Sequence, residues 1–308
     1  MSKLHVAYDD VYLDWQLGNG DGSHPTNPVR AKLAVELLES LDPVMVKPSA
    51  SESDRDLLSH VHSDEYISKV LDRGHCGEWY PDQTHLGEVA LEMAAGTIRM
   101  YEKILSGEAQ VAFNPQGAKH HAQYDHSSGF CVFNDMALAA KLFMAAGLKP
   151  MYIDWDAHHG DGVENILRPY RNLVTASIHQ GGIFPGTGLK NEPENGVYNW
   201  ALANGDGDVE FLDAMQEIEL LADDIQPDVI LLATGADAHH SDPLSGLNFD
   251  YPGYRAAAKI VGEIANKHAK GRVLIGGAGG YQPLTHTPQV WAQVVAQVYS
   301  TVNSEISV

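Results

Sequence analysis

Asp156 and His158 stand two residues apart in the stretch YIDWDAHHGDG (152–162), which also holds Asp154, His159 and Asp161. In an extended segment, residues i and i+2 point to the same side, so carboxylate and imidazole can reach one point. A carboxylate beside a neutral imidazole suits a borderline cation such as Zn2+. Asp237, in LLATGADAHHSDP (231–243), could supply a third ligand from another strand end. Three protein ligands leave a coordination position open, the pattern of catalytic rather than structural zinc.

The chain has 16 histidines, and six of them fall in the pairs 120/121, 158/159 and 239/240. His120 and His121 lie in NPQGAKHHAQ (114–123). Adjacent imidazoles resist both being charged, so one of them stays neutral at about pH 7 and can serve as a base. Each needs a partner for its other ring nitrogen, and Asp154 and Asp161 are the candidates. Tyr281, in GGAGGYQP (276–283), follows glycines that permit close backbone approach. A tyrosine projected from such a loop reads as a proton donor.

Parallel strands are what would bring these groups together. Short apolar runs occur at 4–8, 43–47, 111–114, 151–154, 173–178, 229–234 and 272–277. Helical periodicity covers 28–41, 63–73, 85–105, 134–147, 210–224, 252–269 and 288–302. Strand alternating with helix predicts an α/β fold, a parallel sheet covered on both faces. No linker or repeat interrupts the pattern, so residues 1–308 read as one domain. Five of the runs are each followed by polar or glycine-rich residues, and ligand sites in open parallel sheets lie beyond the carboxyl ends of strands. That is an active-site arrangement.

Composition narrows the partners. With 44% hydrophobic and 20% charged residues the chain is globular, and 41 acids against 20 Lys and Arg give a net charge of -21. Such a surface repels nucleic acid, so direct binding of it is not expected, and draws cations such as basic peptides or polyamines. No apolar run reaches the roughly 18 residues that a membrane span requires. The start, MSKLHVAYDD, lacks the apolar stretch of a secretory signal, and Cys76 and Cys131 make no disulfide framework, so a cytoplasmic setting is expected. The assembly state is left open.

Five segments resemble, in order, the motif series of the zinc-dependent histone deacetylase superfamily. They are GAKHHAQYDHSSGFCVFND (117–135), YIDWDAHHGDGVE (152–164), ASIHQGGIFPGTG (176–188), GADAHHSDPLSGLNF (235–249) and GGAGGYQP (276–283). SHPTNPVRAKL (23–33) and HSDEYI (62–67) match its amino-terminal half. The GAKHHA form is nearer to the class I and bacterial acetoin-utilisation branch. The resemblance implies the arginase/deacetylase-like fold, with a central, mainly parallel sheet of about eight strands.

It also implies Zn2+, or Fe2+ in vivo, on Asp156, His158 and Asp237. His121 would be the general base, backed by Asp161, with His120 its electrostatic partner, backed by Asp154. Tyr281 would donate to the oxyanion. Gly129, Phe130, Phe184 and Leu244 would line the acyl-chain tunnel, Leu244 at its mouth. One potassium ion would sit on Asp154, Asp156, His158, Ser177 and Ile178, largely through main-chain oxygens. A second would use the carbonyls of Leu167, Tyr170, Leu173 and Tyr198. Arg30 matches an arginine of the inner cavity. Lys119, where the family often has Leu or Trp, either adds a second cation there or faces solvent. The rim aspartate that grips a peptide backbone has no clear match in HCGEWYPDQ (75–83).

The expected activity is deacylation of lysine side chains in proteins or peptides. Deacetylation of acetylated polyamines is the alternative. An arginase-type ureohydrolase needs a D-A-H-x-D pattern, and here DAHHG (156–160) ends in glycine. Against a non-catalytic acyl-lysine binder stand His121, Tyr281 and all three ligands.

Overall fold

The central strands read as unbroken apolar runs because both of their faces are covered. The computed structural model describes residues 3–18, 24–170 and 173–304. Its strands are β1 (His5–Ala7), β2 (Val44–Val46), β3 (Val111–Asn114), β4 (Pro150–Asp154), β5 (Val174–Gln180), β6 (Val197–Leu202), β7 (Val229–Thr234) and β8 (Val273–Gly277). All pair in parallel, in the order β2-β1-β3-β8-β7-β4-β5-β6.

Successive strand residues feed opposite cores, as the two-residue period requires. Phe113, Met151, Ile153, Ile230, Leu232 and Ile275 pack in one cluster. That cluster includes side chains of α1 (Val29–Leu38), α7 (Asp208–Ile225), α8 (Tyr251–His268) and α9 (His286–Ser304). Ala112, Tyr152, Leu231, Ala233 and Leu274 face the other, built with α3 (Asp64–Leu71), α4 (Thr84–Leu105) and α5 (Asp135–Ala145). Each fully buried Leu, Ile or Phe contributes about 1.5–3 kcal/mol, so the sheet is held from both sides. No helix among the described residues is long and apolar enough to cross a membrane.

Register sets the site. Asn114 pairs with Gly276, Gly276 with Ala233, Ala233 with Asp154 and Asp154 with Ser177. The carboxyl ends of five adjacent strands, β3-β8-β7-β4-β5, are therefore level, and each chemistry-bearing segment leaves the sheet just beyond this row.

All seven predicted strands and all seven predicted helices are present. Among the described residues, one strand and two α-helices escaped the sequence reading. β6 is an edge strand whose run is broken by Asn199, with a burial pattern that is only partly apolar. α2 (Glu52–Leu57) is ESDRDL, without an apolar face, and rests on a Ser51–Asp54 capping box. α6 (Asp161–Leu167) is too short for periodicity to register.

Candidate active site and metal centre

The loop after β4 turns tightly because its own acids cap it. Asp156 N–H donates to Asp154 Oδ1 at 2.9 Å, and His158 N–H to Asp156 Oδ1 at 2.9 Å. Ala157 N–H donates to Asp237 Oδ1 at 2.9 Å, which ties the β4 loop to the β7 loop. Gly279 N–H donates to Asp156 Oδ2 at 2.5 Å, bringing in β8. Gly279 has to lack a side chain, since a Cβ there would lie 2.3 Å from Asp237 Oδ2 and 2.5 Å from Asp156 Oδ2.

Asp156, His158 and Asp237 are all buried, and one ligand atom from each lies within 4.8 Å of the others. His158 Nδ1 is 2.8 Å from Asp237 Oδ2 and 3.2 Å from Asp156 Oδ1. Burial opposes charge on His158, but its hydrogen bonds to Asp156 and Asp237 raise its pKa to about 11. Burial, then the charge of Asp156, raises the pKa of Asp237 above the usual carboxylate range. Burial also opposes ionisation of Asp156, yet the charge of His120 and the hydrogen bond with His158 hold it low. Two buried carboxylates around one imidazole thus demand a cation, and a proton on His158 fills that need where a divalent ion would serve better. The donor set fits a metal.

His120 Nδ1 lies 2.8 Å from Asp154 Oδ2, which also accepts from Tyr152 Oη at 2.6 Å. His121 Nδ1 lies 2.8 Å from Asp161 Oδ1. The two rings are 4.0 Å apart. Burial would lower His120, but the charges of Asp154 and Asp156 outweigh it and raise the pKa to about 9. Burial and then the charge of His120 lower His121 to about 4. The pair thus holds one proton, on His120, and His121 is the neutral member.

A cavity of about 360 Å³ opens above these groups, lined by His121, Gly129, Phe130, His158, Ile183, Phe184, Leu244 and Tyr281. Phe184 packs edge-on to His121 at 5.0 Å, and Leu244 at the mouth is 41% exposed. Gly129 sits at φ 55°, and a Cβ there would meet His121 Cδ2 at 2.5 Å. The Tyr281 ring is 6.4 Å from that of His158. Burial and the charges of Asp237 and Asp156 raise its pKa well above the ordinary value, so it remains a donor.

Behind Gly129, Phe130 and Tyr281 a smaller inner cavity is lined by Arg30 and Lys119 among others. Lys119 is buried, not solvent-facing, and follows Ala118, which takes a left-handed φ of 55°. Among the described residues its ammonium reaches only Gln116 Oε1, at 3.5 Å, and burial, then the charge of Arg30, lowers its pKa to about 8. Arg30 Nη1 donates to Gly280 O at 2.6 Å.

Of the expected potassium ligands, Asp154 and Ser177 sit side by side in register, with Ile178 next along β5. Tyr170 N–H bonds Leu167 O at 2.8 Å and Leu173 N–H bonds Tyr170 O at 3.0 Å, so these three lie close to one another. Leu173 O lies against Gly196, two residues before Tyr198.

Sequence reasoning missed four contributors. Gln123 Nε2 donates to Asp161 Oδ2 at 2.9 Å, and its place two residues after His121 was the available signal. Ile183 lines the tunnel. Asp242 accepts the backbone N–H of Tyr281 at 2.7 Å and that of Leu244 at 3.0 Å, fixing donor and mouth together. Glu78, from the segment searched for a rim acid, accepts from Phe130 N–H at 2.9 Å and so holds the tunnel wall.

The histone deacetylase domain profile matches residues 24–298. The acetoin utilization protein AcuC of Bacillus subtilis (strain 168) is 32% identical, over 88% of this chain and 76% of that protein. AcuC of Staphylococcus aureus (strain MRSA252) is 28% identical, over 96% of this chain and 81% of that protein. The crystal structure of the HDA15 HD domain superposes with a TM-score of 0.83 at 24% identity. That match covers 98% of this chain and 90% of the other, and it shows the shared fold.

Proposed function

The chain belongs to the histone deacetylase family, a deacetylase hydrolase acting on amide bonds, and from that premise we propose that its substrate is the acylated lysine side chain of a protein or peptide. In this reading residues 1–308 act as one catalytic domain, and Asp156, His158 and Asp237 hold Zn2+, or Fe2+ in vivo. The carrying observation is the position of that cation-demanding trio at the floor of an apolar tunnel.

Zinc, when bound, supplies Lewis acidity that activates water and polarises the scissile carbonyl. His121, neutral and oriented by Asp161, takes the proton of the attacking water and returns it to the leaving amine. His120 stays protonated against Asp154 and stabilises negative charge nearby. The Tyr281 hydroxyl donates to the carbonyl oxygen as its charge develops. Phe130 and Phe184 hold the lysine stem and exclude water. Potassium on the main-chain oxygens of Asp154, Asp156, His158, Ser177 and Ile178 would offset the buried acids, and a second ion would sit on Leu167, Tyr170, Leu173 and Tyr198. Arg30 and Lys119 give the inner cavity a positive charge suited to the released acetate or another short carboxylate.

Above the metal trio, none of the residues that line the tunnel is an acid. A polyamine carries ammonium groups that would need carboxylates at the mouth, whereas Leu244 offers apolar contact to a lysine stem. The net charge of -21 speeds encounter with any cation but does not discriminate once a substrate is bound. A turnover screen of acetyl-lysine peptides against acetylated spermidine and putrescine tests this, with higher kcat/KM expected for the peptides. An acetylpolyamine preferred by about tenfold, equivalent to 1.4 kcal/mol, would overturn the substrate assignment.

A further inference from the structure

His120, His121 and His158 belong to the site described above; the pair His239-His240 does no work in it. We propose that His239, His240 and Asp250 form a second transition-metal site, for Zn2+ or a cation of similar softness.

One ligand atom from each of these residues lies within 4.8 Å of the others. Two imidazoles and one carboxylate are a donor set that zinc takes readily. The inner ligand is the informative one. His239 is 1% exposed, and its Nε2 has no hydrogen-bond partner among the described residues. The Asp250 carboxylate faces that nitrogen at 3.6 Å. A buried imidazole nitrogen without a partner is costly, and a metal bond removes the cost.

The other ring nitrogen has an acceptor within reach. His239 Nδ1 lies 2.7 Å from Ser241 Oγ, which can accept from an Nδ1–H and so free the Nε2 lone pair to ligate. Ser241 N–H donates to the same nitrogen at 3.3 Å, so a metal on Nε2 would exchange that longer bond for Nδ1–H···Oγ. The ring is held in place by His240 at 4.3 Å and His286 at 4.5 Å. His240 is exposed and the Asp250 side chain half-exposed, so a cation can enter from solvent. Asp250 is held as the amino-terminal cap of α8, where its Oδ1 accepts from Tyr251 N–H at 2.7 Å.

The ligands stand at the two ends of the loop 241–249, pinched by the bond from His240 N–H to Phe249 O at 3.0 Å. That loop carries Leu244 and Asp242, so the ion would clasp the base of the segment that shapes the tunnel mouth.

The test is a Zn2+ titration of tag-free, chelator-stripped protein, with bound metal counted by elemental mass spectrometry. Wild type should bind two equivalents, His240→Ala one, Asp156→Asn one and the double variant none. Ser241→Ala should keep the second equivalent but weaken it about 10- to 100-fold, the usual cost of losing a partner of a ligating histidine. Wild type binding one equivalent, or His240→Ala retaining two, would overturn the site. Unchanged affinity in Ser241→Ala would overturn the assignment of Nε2 as its ligand atom.

Discussion

Gly279→Ala adds one methyl group at the point where the β8 loop closes over the proposed metal trio. The new carbon would lie 2.3 Å from Asp237 Oδ2 and 2.5 Å from Asp156 Oδ2, about 1 Å short of ordinary contact, which begins at 3.4 Å. Neither carboxylate can swing aside cheaply. Asp237 Oδ1 is held by Ala157 N–H at 2.9 Å, and Asp156 by His158 N–H at 2.9 Å and by the N–H of residue 279 itself at 2.5 Å. The backbone there is not left-handed, so the variant should fold and the strain should fall on the ligands. A displacement of about 1 Å costs on the order of 100-fold in rate. That is about 2.7 kcal/mol in the barrier. We expect kcat/KM on an acetyl-lysine peptide to fall by that factor, with Zn2+ affinity, read by chelator competition, weakened at the same time. Gly181→Ala is the control, since its nearest neighbour would be 3.5 Å away. Turnover and metal affinity in Gly279→Ala within threefold of wild type would refute the reasoning.

Three further outcomes are expected. Tyr281→Phe should lose about 100- to 1,000-fold in turnover, the usual cost of one oxyanion donor, while still binding a zinc-chelating hydroxamate; a loss of only a few-fold would contradict its role. Leu244→Glu should shift the kcat/KM ratio toward acetylspermidine by about two- to fivefold, because a partly exposed ion pair is worth up to about 1 kcal/mol, and an unmoved ratio would contradict Leu244 as the discriminating contact. His62 is buried, its Nδ1 lying 2.9 Å from Gln123 O and its Nε2 accepting from Asn134 N–H at 2.9 Å, and burial lowers its pKa from 6.5 to about 4. The unfolded chain therefore takes up this proton first, and stability is lost as pH falls from 6.5 toward 4, by about 3 kcal/mol in all. The slope of unfolding free energy over that window should flatten in His62→Gln, and an unchanged slope would contradict it.

How much of this was legible beforehand follows from what each feature depends on. The five polar strand ends could be read directly, since central parallel strands are continuous apolar runs and the chemistry follows them. Asp156 and His158 were legible through their two-residue spacing, and Asp237 through its place after another run. The environment of Lys119 was not, because the backbone of Ala118 and Lys119 is held by the carboxylate of Asp135, 17 and 16 positions away. Glu78 and Asp242 act by accepting backbone N–H groups from residues 52 and 39 positions away, and no local pattern encodes such a pairing. β6 and α2 were missed for a different reason: an edge strand and a polar helix carry little hydrophobic period to read.

The most direct test of the central claim measures metal content and acetyl-lysine peptide turnover on the same samples of wild type and Asp237→Asn. Each protein is stripped with a chelator and then refilled with Zn2+. Stripped wild type should be inactive and regain turnover in step with Zn2+, whereas folded Asp237→Asn should lose one equivalent of metal and its turnover together. Wild-type turnover in a sample shown to be metal-free would contradict the account.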